Sequence, residues 1–152
     1  RPRRKHTDAE HCDGTYVSQH GRQSRCALTN ARVRYWTFIP SLFSWSADAD
    51  HRPCPLAATY QISRNLLAAC VSADRVESEG CHALLVYDVR NPMYRGDGKA
   101  MRQVRAAREA LLNPRALRTV SWQAITAELG RHSDFLWLSR GLAGKYGIGA
   151  VP

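Results

Sequence analysis

Residues 81–89, CHALLVYDV, decide how this chain is read. Cys81 to Val89 read as a strand, whose continuous apolar run from Ala83 to Tyr87 suits cover on both faces. The chain then turns at once to Asp88, Arg90, Asn91 and Pro92. Strands commonly end in such turn-forming residues, and a polar tail on a rigid strand is also where the rim of a site would stand. The residues on either side must decide between these readings.

Before the strand, residues 56–72 carry a helical pattern. It directs Leu56, Tyr60, Leu67 and Cys70–Val71 towards a core, with Ile62 and Leu66 widening the stripe. Gln61, Arg64 and Asn65 stand out as polar positions on that apolar helix. Residues 73–80 read as a charged connector. After the strand, RNPMYRGDG is a loop, and Lys99–Leu112 reads as a helix with Met101, Val104, Ala107 and Leu111 inward. Arg102, Arg105, Arg108 and Arg115 then face outward, and Pro114 closes the helix. Residues 117–122, LRTVSW, form a second short strand, and Ser121 caps a brief helix ending near Gly130. Ser133 is read as the cap of the last helix, with Phe135, Leu136, Leu138 and Leu142 packing and Gly147 as its stop.

Upstream, Thr29 or Asn30 caps a helix to about Ile39, which Pro40 ends or kinks. Residues 44–55 are loop, and residues 1–27 are irregular. The order helix, strand, helix, strand, helix argues for an α/β or α+β fold in which helices flank a mixed sheet. Two strands are too few for a complete sheet, so further strands are expected in the N-terminal third or outside this chain. The expected division is a basic, largely irregular segment at 1–28 and an α/β domain at 29–152.

At 152 residues and 44% apolar content, the chain can bury a core. No run of 18 apolar residues exists, which leaves no membrane span, and the charged N-terminus RPRRKHTDAEHC has no apolar stretch resembling a signal peptide. The net charge is +9, from 19 Arg and 3 Lys against 13 acids. Such a balance favours polyanions, most simply nucleic acid; arginine enrichment from genome composition is the bland alternative. On the helix at 99–112, Arg102, Arg105 and Arg108 recur at three-residue steps and can line a ridge facing phosphates.

Five cysteines is an odd number, which points to a reducing, cytoplasmic setting rather than a disulfide framework. Cys70 and Cys81 are read as thiols acting as small hydrophobes. Cys12, Cys26, His51 and Cys54 are an alternative zinc set, because HRPC supplies His-x-x-Cys spacing, and His11 competes as a ligand. Nucleotide-loop, zincin and nucleophile-elbow motifs are absent. Glu77 and Glu79 read as a solvated turn. Asp97-Gly98-Lys99 is the sole acid-x-lysine, but it falls in a turn, where the shared strand face that metal nucleases need is not supplied.

The segments RYWTFIPSLF, CPLAATYQISRNLLAAC, HALLVYDVRNPMY, SWQAI and LAGKYG resemble, across about residues 34–148, bacterial restriction-endonuclease-like proteins of the PD-(D/E)XK superfamily. The resemblance implies a mixed sheet flanked by helices and Mg²⁺-dependent hydrolysis of DNA, with a homo-oligomer left open. It implies Asp88 and Gln61 as catalytic candidates, Asp88 also as a Mg²⁺ ligand. Arg64, Asn65, Arg90 and Asn91 become candidates for nucleic-acid contact. The superfamily's Glu-x-Lys strand should precede RYWTFIP, yet Asp8, Glu10 and Asp13 have no lysine two residues on, and Lys5 follows Arg3. A fragment, a relative that binds without cutting, and a variant with other ligands all remain open.

Overall fold

Prolines, glycines and left-handed turns divide the chain into short elements. The computed structural model describes residues 12–18, 25–77 and 80–148. In chain order these hold α1 (Ala27–Asn30), α2 (Tyr35–Leu42), α3 (Pro55–Cys70), β1 (Val71–Ser72), β2 (Arg75–Val76), β3 (Ala83–Tyr87), α4 (Lys99–Ala110), β4 (Leu117–Ser121), α5 (Trp122–Leu129) and α6 (Leu136–Tyr146). The fold is a mixture of α and β, as expected, and the described strands form two pairs. Two compact units result: Arg1–His82 with Gln103–Ala116, and Ala83–Arg102 with Leu117–Pro152. Arg3, Lys5, Asp8, Glu10, His11 and Glu79 lie outside the described residues.

In the first unit, the helix expected from Thr29 or Asn30 to Ile39 is two helices. Arg32 takes a left-handed backbone (φ 63°), and the Val33 N–H closes back on the Leu28 carbonyl at 2.8 Å, which terminates α1. Pro40 lies inside α2 instead of ending it. The core gathers Ile39, Phe43, Leu66, Cys70, Val104 and Ala107, each almost wholly shielded from solvent. Phe43 bridges to Leu111, flanked by bonds from the Ser44 N–H to the Ala110 carbonyl (2.7 Å) and from the Leu112 N–H to the Leu42 carbonyl (2.9 Å).

Residues 12–18 join this core. Tyr16 and Val17 are buried, Tyr16 and His51 exchange backbone hydrogen bonds at 3.0 and 2.8 Å, and Tyr16 stacks on Trp36 at 3.7 Å. Along α3, Leu56, Leu66, Leu67 and Cys70 are buried as the pattern predicts, but Tyr60 is 40% exposed. The backbone leaves helical angles at Thr59, the residue before it, which shifts the inward face.

The connector expected at 73–80 contains a hairpin. β1 and β2 pair antiparallel, and Ala73 and Asp74 both take positive φ in the two-residue turn between them. Ala-Asp lacks the Asn-Gly signature of such turns, so the reversal is not visible from composition alone. The reversal returns Cys81 to within 5.1 Å of Cys70, Cα to Cα, and the two are disulfide-bonded. This corrects their reading as separate thiols: spacing along the sequence does not reveal a chain reversal.

In the second unit, β3 and β4 pair in parallel, from Ala83 opposite Leu117 to Tyr87 opposite Ser121. The Ser121 hydroxyl accepts from the Ala124 N–H at 3.0 Å and caps α5, as expected. Strand β3 is not covered on both faces, since Leu84 is 55% exposed. Ser133 does not cap α6; its hydroxyl bonds the Asp134 carboxylate within a 3₁₀ turn, Ser133–Phe135. Phe135, expected to pack, is 47% exposed on the edge of a cavity of about 420 Å³ with Val120, Ile125 and Leu129. Gly147 stops α6 with φ 63°.

Candidate functional site

The polar tail of β3 is a closely bonded cluster. Asp88 follows the strand directly and turns its carboxylate back on the chain. Its Oδ1 accepts from the Arg90 N–H (2.9 Å), Arg90 Nε (3.0 Å) and Gln123 Nε2 (2.8 Å). Its Oδ2 accepts from Arg90 Nη2 (2.6 Å) and Nε (3.0 Å). Gln123, buried near the start of α5, also accepts the Val89 N–H through Oε1 at 3.2 Å. Arg90 Nη1 reaches the carbonyls of Tyr146 and Gly147 at 3.1 and 3.3 Å, the end of α6, where a cation offsets the exposed carbonyls.

The Arg90 side chain, then its backbone N–H, then Gln123 hold the Asp88 carboxyl well below the usual carboxylate range, and Asp88 in turn raises the Arg90 guanidinium. A carboxylate so firmly ionised is poorly matched to proton transfer near neutral pH. What the cluster does is tie a strand end to two helix ends. Beyond it, Asn91 accepts the Met93 N–H at 3.0 Å and starts the 3₁₀ turn Pro92–Tyr94, while Arg95 Nε donates to the Val89 carbonyl at 3.0 Å. A side chain at Gly98 would run into the backbone carbonyls of Pro92 and Met93, so this turn requires glycine there.

Of the other expected residues, Gln61, Arg64, Asn65, Arg105 and Arg108 fall in the first unit, while Arg102 falls in the second with this cluster. Gln61, Arg64 and Asn65 stand exposed on α3 in the first unit, where Gln61 Nε2 donates to Asn65 Oδ1 at 3.3 Å. On α4, Arg102 and Arg105 are exposed and Arg108 half-buried; Arg102 donates to the Asp97 carbonyl. Cys12, Cys26 and Cys54 line one cavity of about 380 Å³, and burial pushes the Cys54 thiol pKa up. His51 is occupied elsewhere, its Nε2 2.8 Å from the Ser46 carbonyl oxygen. Gln123 is the central residue that sequence reasoning missed. Its one available signal was the Ser121 cap, which fixes SWQAI as a helix start and brings Gln123 back beside the strand end.

The family model described as "Restriction Endonuclease associating with ARP" matches residues 8–147. The chain belongs to that family. No curated protein and no solved structure matches it. Membership of this family makes the domain restriction-endonuclease-like.

A Mg²⁺ centre of the type expected for such a domain needs carboxylate oxygens free to converge on one ion. Both oxygens of Asp88 are taken by Arg90 and Gln123. Among the described residues no three His, Cys, Asp or Glu side chains form a group able to hold a metal. The described residues therefore do not fit a Mg²⁺ centre, and the same holds for the Cys12, Cys26, His51 and Cys54 zinc set. Among the described residues no helix is long and apolar enough to cross a membrane.

Proposed function

We propose that this chain is a DNA-engaging domain of restriction-endonuclease type, contributing contact to the nucleic acid rather than a metal centre from its described residues. The family match over residues 8–147 carries the reading. The net charge of +9 supports it, because a protein that neutralises several phosphates gains affinity by releasing counterions. Arg102, Arg105 and Arg108 on α4 are the proposed phosphate ridge, with Gln61, Arg64, Asn65, Arg90 and Asn91 as further contacts. Mg²⁺-dependent phosphodiester hydrolysis of the PD-(D/E)XK type enters as the parent chemistry, and Asp88 is assigned to scaffolding.

Fluorescence anisotropy with a labelled duplex tests it. Affinity is expected to fall steeply with salt, by a log–log slope of about 0.9 per phosphate neutralised. Replacing Arg102, Arg105 and Arg108 together by Gln should weaken binding and lower that slope by up to about 3. No binding at low salt would sink the proposal, and an unchanged slope in the triple variant would remove α4 from the interface.

A further inference from the structure

A second cavity in the first unit, of about 360 Å³, is lined by Arg25, Arg32 and Arg34, with Thr29 and Thr37 among its walls and Trp36 beneath. Its volume lies within the usual range for small-ligand sites. No acidic side chain is among its lining residues.

Two of the guanidinium groups are held in place. Arg25 lies over the Tyr16 ring, 5.6 Å from its centre, and Arg34 over Phe38 at 5.4 Å. Each is steadied from outside the cavity lining by one carboxylate, Asp50 for Arg25 (3.0 Å) and Asp74 for Arg34 (3.1 Å). Both pairs engage Nη1 alone among the described residues, while an arginine carries five N–H donors in a fixed fork. A planar fork with donors to spare is suited to phosphate oxygens.

The third cation is placed by an uncommon backbone. Arg32 adopts φ 63° in the turn between α1 and α2, a conformation that is unfavourable for a non-glycine residue. Glycine or asparagine would fill such a turn at lower cost. Backbone conformations of this kind gather at ligand sites, where the side chain must stand at that point.

We propose that this cavity is a phosphate-binding site for a nucleic-acid strand, taking either an internal phosphodiester or a terminal phosphate. The proposal rests on the DNA-binding reading above for its ligand, but on different residues. It is tested with the full chain by following the Trp36 indole N–H signal in NMR spectra, assigned through Trp36→Phe. Trp36 Nε1 is buried and has no hydrogen-bond partner among the described residues, so its signal reports on the cavity floor.

Inorganic phosphate and a short oligonucleotide should both shift that signal. Replacing Arg25, Arg32 and Arg34 together by Gln should abolish the shift and weaken oligonucleotide binding about tenfold or more. Arg32→Gln alone changes an exposed residue outside the two ion pairs. It keeps the test sound should the triple variant not fold, with a loss of several-fold expected. Equal affinity for 5′-phosphorylated and 5′-hydroxyl strands identifies the internal phosphodiester as ligand; preference for the former identifies the terminal phosphate. If phosphate shifts Trp36 while no DNA binds, the cavity takes the anion, but its assignment to a nucleic-acid strand is overturned together with the DNA-binding reading. Oligonucleotide affinity and salt slope unchanged in folded Arg→Gln variants overturn the cavity and leave that reading intact.

Discussion

The two units are held together by different means. The first buries a broad apolar core, with Ile39, Phe43, Leu66 and Val104 almost entirely shielded. The second buries little of that kind, and its buried side chains include Gln123 and Thr126 alongside Leu117 and Ile148. Its strand pair ends in the Asp88–Arg90–Gln123 cluster instead. Apolar packing is non-directional and tolerates a change of shape better than a change of volume. A hydrogen-bonded cluster is directional, and each buried member left without a partner is costly. The first unit should therefore respond to lost volume, the second to lost partners.

The largest expected effect lies in the first unit. Ile39→Ala should cost about 2–5 kcal/mol by leaving a cavity at a fully buried position. Chemical denaturation measures it, and a loss below about 1 kcal/mol would mean that this core is not packed as described. In the second unit, Gln123→Leu keeps the volume roughly constant while leaving the Val89 N–H and Asp88 short of a partner. A loss of about 1–3 kcal/mol is expected, and no loss would show that the contrast between the units is false.

The smallest effect is a dependence on pH. The folded-state pKa of Asp88 is depressed, so as pH falls the unfolded chain takes up the proton first. The stabilisation is complete above the ordinary aspartate value of about 3.9 and is lost as pH falls below it towards the folded value. Thermal unfolding of Asp88→Asn should therefore fall short of the native chain near pH 6, with the gap narrowing below about pH 4. A gap independent of pH would remove the carboxylate charge from the account.

Much of this contrast was legible in the sequence where periodicity governs. Val104 and Ala107 announce the inner face of α4, Ser121 the cap of α5, and Gly147 the end of α6. What escaped depends on contacts between distant residues. The pairing of Tyr16 with His51 joins two segments that each read as irregular, and no local pattern marks either as structured. The hairpin at 71–76 turns through Ala73 and Asp74, residues with a weak turn signal, and the Cys70–Cys81 bond went unread with it. Asp88 was singled out correctly as a polar residue at a strand end. That its oxygens are already taken could not be seen without Gln123, which is 35 positions away.

Arg90 has a consequence for how the second unit moves. Through Asp88 it holds the end of β3 and, by the bond Asp88 accepts from Gln123, the start of α5, and through two carbonyls the end of α6. Breaking any one of these attachments exposes the other two. The amides of all three segment ends should then exchange with solvent deuterium at one common rate, as a single cooperative opening, instead of fraying one by one.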